Sequence, residues 1–194
     1  MINISIKRVQ SSDVTLLAQI AQQAYLDHYR PIWHDEGAWY VEKVYNVPQL
    51  LSEIQDENVL YFLVYNDRIP IGFVKLKKNY PLSIGSAGLP FGNGAGSSVA
   101  LNNALYLERI YFIKSATGNG LGNYCFNFIK KYARENDKTA IWLMAMDWSE
   151  KAIRFYEKQG FEKCGTWQLG FEIMKQEHWG MVILSYEFHS THNS

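Results

Sequence analysis

The run from Leu105 to Gly122 constrains this chain more than any other: an alternating apolar segment ending in Thr117-Gly118-Asn119-Gly120-Leu121-Gly122. Beyond it, Leu121, Cys125, Phe128 and Tyr132 recur at three- and four-residue steps, with Phe126, Ile129 and Ala133 beside them, which is the period of an amphipathic helix. Strand, glycine loop and helix in that order leave unpaired backbone N–H groups at the positive end of the helix, a geometry suited to a phosphate-bearing ligand. The glycine spacing narrows the class. A nucleotide-triphosphate loop needs Lys-Ser or Lys-Thr after its last glycine, where this chain has Leu121-Gly122-Asn123. A dinucleotide fingerprint counted from Gly118 and Gly120 needs a third glycine where Asn123 stands.

What remains resembles the pyrophosphate loop of the GNAT superfamily of acetyl-CoA-dependent N-acetyltransferases: Gln or Arg, two residues, Gly, one residue, Gly or Ala. Gly120 and Gly122 fit, while Thr117 departs and removes a long donor from one phosphate contact. Taken alone, the loop also reads as a glycine-rich turn before an ordinary helix. A second segment adds specificity. After an expected strand Ala140 to Met146 comes Asp147-Trp148-Ser149-Glu150-Lys151-Ala152-Ile153-Arg154-Phe155-Tyr156-Glu157-Lys158-Gln159-Gly160-Phe161. It resembles the GNAT piece Asn, two residues, Ala, two residues, Phe-Tyr, three residues, Gly-Phe, which lies beside the thiol end of the cofactor, except that Ser149 replaces Asn. Asp147 with Glu150, or Ser149 itself, can cap this helix, and Gly160 suits a left-handed stop. The resemblance covers Leu105 to Phe188 well and the first hundred residues by general pattern.

The rest of the chain reads in the same sense. Ile2, Ile4 and Ile6 predict a half-buried strand rather than a signal peptide. Ser11 or Ser12 then caps a helix carrying Leu17, Ile20, Ala21, Ala24 and Tyr25 that ends at Pro31. A second helical stretch spans Asp35 to Tyr45, a third turn opens at Pro48, and Val59 to Tyr65 pairs with Ile69 to Lys77 across Asn66-Asp67. Between Asn79 and Ala104, five glycines, two prolines and several serines predict a structureless insertion, either a mobile lid over the acceptor mouth or a tolerated loop. Glu162 to Gly170 and Trp179 to Phe188 close the chain as two strands. The expectation is one domain, residues 1–194, with an insertion at 79–104. Its fold is α/β, a mixed and mostly antiparallel central sheet flanked by helices, and the resemblance implies central strands that splay apart.

Charge and cysteines exclude other classes. Nineteen Lys and Arg balance nineteen Asp and Glu, so nothing draws nucleic acid or an anionic membrane to the molecule as a whole. Cys125 and Cys164 form no metal or disulfide pattern, and His28, His34 and His178 read as surface or packing residues with no metal motif. No apolar run reaches membrane-spanning length, so a cytoplasmic protein is expected.

The resemblance implies acetyl-CoA as cosubstrate and no metal. The amides of Thr117, Gly118, Asn119, Gly120, Leu121 and Gly122 would hold the diphosphate. Backbone groups of Ile110 and Phe112 would meet the pantetheine arm like an added strand, with Ser149 and Phe155 near its reactive end. Tyr156 falls on the tyrosine that in relatives points at the cofactor sulfur, and a phenol can protonate a departing thiolate. Glu108 is the candidate base: alternation puts it on the face of Ile110 and Phe112, and desolvation there would raise its pKa towards neutrality. The competing role is a structural carboxylate paired with Arg109 or a cation of another strand. Tyr29, Trp33 and Trp39, with Tyr25, Tyr40, Asp27, Asp35 and Glu36 among them, would border the acceptor. Aromatic faces and acids together favour a small, polyamine-like amine. The alternatives are a protein N-terminus or lysine as acceptor, or a CoA-binding sensor without turnover. The resemblance also admits a homodimer.

Overall fold

The computed structural model describes residues 3–83, 93–95, 100–116 and 120–188. Thr117, Gly118 and Asn119 therefore lie outside the described residues. By its contacts the chain divides into two compact units, residues 1–78, 107–125 and 171–176 in the first and 79–106, 126–170 and 177–194 in the second.

The first unit is a sheet with helices against it. Strands β1 (Ile4–Arg8), β2 (Val59–Asn66) and β3 (Ile69–Lys77) pair antiparallel in sequence order, and the Leu107–Phe112 part of β7 (Ala104–Phe112) lies next to β3. β2 and β3 are nearly continuous apolar runs, buried at Val59–Val64 and Ile71–Leu76, as strands covered on both faces must be. One cover is α1 (Val14–Tyr29), whose Leu17, Ile20, Ala21, Ala24 and Tyr25 are buried at helical spacing. Its entry is closed by Asp13, whose carboxylate accepts from the Gln10 N–H at 2.9 Å, rather than by the expected Ser11 or Ser12. The next two helices, α2 (Ala38–Val44) and α3 (Val47–Gln55), begin at acceptors: Asp35 takes the N–H groups of Gly37 (3.0 Å) and Trp39 (2.6 Å), and Asn46 that of Gln49 (2.8 Å). Such caps satisfy amides that a helix start leaves orphaned.

The second unit holds β8 (Ala140–Met146), β9 (Glu162–Gln168) and β10 (Gly180–Glu187), with β10 antiparallel to both neighbours. Its core stacks Tyr106 on Trp142 at 3.9 Å between ring centres, and Tyr80 on both, with Leu82, Leu101, Trp167 and Ile183 packed around. The body of α4 (Leu121–Glu135) and α5 (Glu150–Lys158) complete it.

The 79–104 insertion is not structureless where it is described, which corrects the expectation. β4 (Leu82–Ser83) pairs with β6 (Ala100–Leu101), and β5 (Asn93–Ala95) adds to the edge of β9, with Asn93 opposite Gln168. Glycine and serine weaken intrinsic strand preference, but the open edge of β9 offers a full row of donors and acceptors, and pairing there overrides composition.

Candidate functional site

The sequence joins the apolar strand β7 to α4 through glycine, and the first unit describes that junction up to Ala116 and again from Gly120. Gly120 has φ +76°, a left-handed conformation natural to glycine, and a Cβ built on it would meet nothing within 4 Å among the described residues. The Tyr124 N–H reaches the Gly120 carbonyl at 3.1 Å. Leu121 and Gly122 are therefore in the opening turn, where no carbonyl of the helix itself is available to their N–H groups. A positive helix end with N–H groups that the helix itself leaves unpaired is what an anion requires. Upstream, Tyr111 and Phe112 press so closely on Gly72 of β3 that a Cβ there would collide with the Tyr111 carbonyl and fall 2.5 Å from the Phe112 ring. The Phe112 carbonyl accepts from His28 Nε2 at 2.9 Å, and Asp27 accepts the Lys114 N–H at 2.8 Å, which fixes the end of β7 to α1.

Glu108 sits at the centre of a buried charge cluster. Its Oε1 is 2.9 Å from both Lys75 Nζ and Arg109 Nη1, and its Oε2 is 2.9 Å from Lys77 Nζ. Lys75 also meets Glu53 of α3 at 2.8 Å, and the Tyr61 hydroxyl donates to the same Glu53 carboxylate. Burial pushes the Glu108 carboxyl up, but Arg109, Lys75 and Lys77 outweigh it and hold it at about 2. The shift expected from the sequence is thus reversed. Burial also lowers the pKa of Lys75, reinforced by Arg109 and opposed by Glu108 and Glu53. A carboxylate clamped by three cations is a weak base. Its geometry is that of the structural ion pair weighed as the other role for Glu108.

The aromatic residues of α1 and α2 form one stack around Arg109. Tyr25 lies on Tyr29 (5.0 Å) and Tyr40 (4.3 Å), and Trp33 tilts against Tyr40, Trp39 and Phe171. The guanidinium of Arg109 lies over the Tyr45 ring at 5.5 Å, a cation–π contact. Trp33 is 3% exposed and donates its indole N–H to the Tyr25 hydroxyl at 2.9 Å. Of the three residues expected at the acceptor, only Trp39 is exposed, at 37%, and Tyr29 is half-buried. The acids expected to hold a cation are engaged elsewhere: Asp27 and Asp35 with backbone amides, Glu36 with Arg30 at 3.2 Å.

In the second unit, Ser149 is the residue before α5, and its side chain makes no capping bond there. Phe155 and Tyr156 follow on the half-buried side of the helix and pack against Phe126 at 5.3 and 5.5 Å. Gly160, with φ +88°, stops the helix as its position implies, and a Cβ there would touch Tyr186 at 3.3 Å.

The model of the acetyltransferase (GNAT) family matches residues 18–161, well over half of the sequence. This chain belongs to that family. An uncharacterized N-acetyltransferase encoded in the pepI 3′ region of Lactobacillus delbrueckii subsp. lactis is 25% identical over 164 residues, covering 84% of this chain and 87% of that one. Among solved structures, the PaiA N-acetyltransferase of Thermoplasma acidophilum in complex with coenzyme A superposes with a TM-score of 0.68 at 18% identity, covering 96% of this chain and 99% of that one. A ribosomal-protein-alanine N-acetyltransferase from Brucella melitensis gives 0.64 at 18% (95% and 99% covered), and a spermidine N-acetyltransferase variant from Vibrio cholerae 0.62 at 16% (95% and 93% covered).

The protein is an acyltransferase of the GNAT class, and its mixed sheet flanked by helices is the GNAT fold. Two parts of this GNAT chain escape a reading by motif. The Glu53–Lys75–Glu108 cluster is one: its signal is a lysine in the middle of the apolar strand Ile69–Lys77. The other is Asp147 against Gly180, where a methyl at residue 180 would fall 2.5 Å from the Asp147 Cγ; no spacing rule connects residues 147 and 180. Among the described residues no group of His, Cys, Asp and Glu is placed to hold a metal ion, and no helix is long and apolar enough to cross a membrane.

Proposed function

We propose that this GNAT protein transfers the acetyl group of acetyl-CoA to a primary amine of a small molecule. The observation that carries the reading is the left-handed Gly120 at the first turn of the helix that follows the β7 strand in the chain, with no described atom within 4 Å of a Cβ built on it. Its donors suit a diphosphate, and the coenzyme A bound by the Thermoplasma protein brings one. In this reading the amides of residues 117–122 hold the diphosphate, and backbone groups of Ile110 and Phe112 align the pantetheine arm. Ser149 and Phe155 flank its thiol end.

The chemistry needs a neutral amine, a polarised thioester carbonyl and a proton for the thiolate. The amine nitrogen attacks the carbonyl carbon, the C–N bond forms and the C–S bond breaks. Tyr156 supplies the proton that turns the thiolate into free thiol, and its phenolate recovers the proton that the acetylated nitrogen loses. Glu108, held ionised by its cations, ties β7 to β3 and anchors Arg109 over the Tyr45 ring and beside the Tyr40 hydroxyl. Tyr29, Trp33 and Trp39 shape the acceptor side, Trp39 as its exposed edge.

The test is thiol release from acetyl-CoA with a panel of polyamines, other aliphatic amines and N-terminal peptides. Turnover highest with small amines supports the proposal. Turnover confined to peptides transfers the acceptor assignment to proteins, and thiol release from none of them overturns it.

A further inference from the structure

With Glu108 locked in ion pairs, the base that frees the amine must come from elsewhere, and one place in the second unit has the chemistry. The chain leaves β8 through Asp147, Trp148 and Ser149, and its N–H at Asp147 donates to the Gly180 carbonyl at 3.0 Å. The Asp147 carboxylate occupies the space where any side chain at residue 180 would stand, with Oδ1 2.9 Å from that Cβ position. Two residues before Gly180, the His178 ring meets the Trp148 indole edge-on at 5.4 Å between centres. His178 Nδ1 is buried and has no hydrogen-bond partner among the described residues. Asp147 and Trp148 are both exposed, Trp148 at 42%.

The buried His178 nitrogen costs stability unless something completes it. A buried ring nitrogen without a partner forfeits hydration for no return, and a bare carboxylate beside an exposed indole is the pairing that attracts an alkylammonium. The acids nearest to this ring pair along the chain are Asp147, beside Trp148, and Glu177, beside His178.

We propose that Asp147, Trp148 and His178 form the subsite for the acceptor's ammonium, and that His178 Nδ1 takes its proton. The inference rests on the amine-acetylation reading and names the substrate class: an aliphatic amine that is protonated at neutral pH. Asp147 and Trp148 hold the cation, and one N–H proton passes to Nδ1. The neutral nitrogen bonds to the acetyl carbon, the C–S bond breaks as Tyr156 protonates the departing sulfur, and the nitrogen's second proton passes to the resulting Tyr156 phenolate. The imidazolium then releases its proton to water. Ammonium and acetyl-CoA thereby become amide, thiol and one proton. Imidazole is the side chain suited to this transfer near neutrality.

The experiment compares the full chain with His178→Gln, Asp147→Asn and Trp148→Leu on two acceptors, an alkylamine and an arylamine that is already neutral at the assay pH. His178→Gln lowers kcat/KM for the alkylamine by about 100-fold and removes the acidic limb of its pH profile, while arylamine turnover is little changed. Asp147→Asn and Trp148→Leu raise KM for the alkylamine alone. Added imidazole restores alkylamine turnover in His178→Ala, which separates lost chemistry from lost folding. Equal loss on both acceptors, or an acidic limb that survives in His178→Gln, overturns the subsite and leaves acetylation intact. A wild-type chain that releases no thiol with either amine overturns the acetylation reading and this inference with it.

Discussion

Replacing Glu108 by glutamine asks whether the charge cluster or the chemistry depends on that carboxylate. In the fold the carboxyl titrates at about 2, against 4.5 for the free side chain. Each pH unit of such displacement is about 1.4 kcal/mol, so Glu108 contributes on the order of 3 kcal/mol at neutral pH. Removing one partner of a buried ion pair independently costs about 3–5 kcal/mol, because the cation left behind stays desolvated. Here Lys75 and Arg109 are those cations, with side chains 2% and 11% exposed. For a chain of 194 residues, where 1 kcal/mol moves Tm by about 2–4 °C, the expected drop is roughly 6–12 °C.

The pH dependence supplies the sharper check. A carboxyl with a lowered pKa contributes fully above its unfolded value and loses the contribution as pH falls towards its folded value. Urea unfolding of wild type and Glu108→Gln should therefore differ most at pH 7 and converge between about pH 4.5 and 2. A difference below about 1 kcal/mol at neutral pH, or one that persists undiminished into that acid range, would refute the buried-cluster argument. Acetylation by the folded fraction of the variant should keep the wild-type pH profile if, as proposed, His178 rather than Glu108 takes the amine's proton.

Other perturbations report on separate parts. Tyr156→Phe should lower kcat by about 10–100-fold with KM for acetyl-CoA unchanged, measured by thiol release at saturating amine. Gly120→Ala puts a Cβ where φ is +76° and where no described atom stands within 4 Å. It should cost about 1–2 kcal/mol in urea unfolding and raise KM for acetyl-CoA severalfold. Gly180→Ala forces the Asp147 carboxylate from its position, so it should raise KM for an alkylamine as Asp147→Asn does, an effect absent if that carboxylate does not touch the acceptor.

The parts of the fold legible in the sequence are those set by local rules. Ile69–Lys77 and Ala140–Met146 have the expected bounds because turn residues and charges bracket continuous apolar runs, and α4 begins at Leu121 because glycine precedes an apolar stripe at helical spacing. Caps were less legible. Several polar residues stand near each helix start, and the competition between Ser11, Ser12 and Asp13 is decided by backbone geometry that one-dimensional spacing does not contain. Composition misled at 79–104 for a related reason: glycine-rich sequence says how weakly a segment prefers extended backbone, not whether an unpaired strand edge lies within reach.

Site chemistry was legible in residue types and illegible in charge state. Placing Glu108 in an apolar strand gives the sign of desolvation correctly, since burial does push its carboxyl up. The net shift has the other sign because Lys75 and Lys77 reach it from another strand and Arg109, its chain neighbour, reaches it although alternation would send the two side chains to opposite faces. Desolvation can be read from a neighbourhood of one strand, whereas Coulomb attraction falls off with distance through space and requires the partners' positions. His178 inverts the case. Its sequence context offers no motif, yet an orphaned buried nitrogen on a ring that meets Trp148 is a position that only the folded chain assembles. A base chosen by sequence alternation and a base chosen by unsatisfied valence are therefore different residues, and the arylamine comparison decides between them, because an acceptor already neutral needs neither.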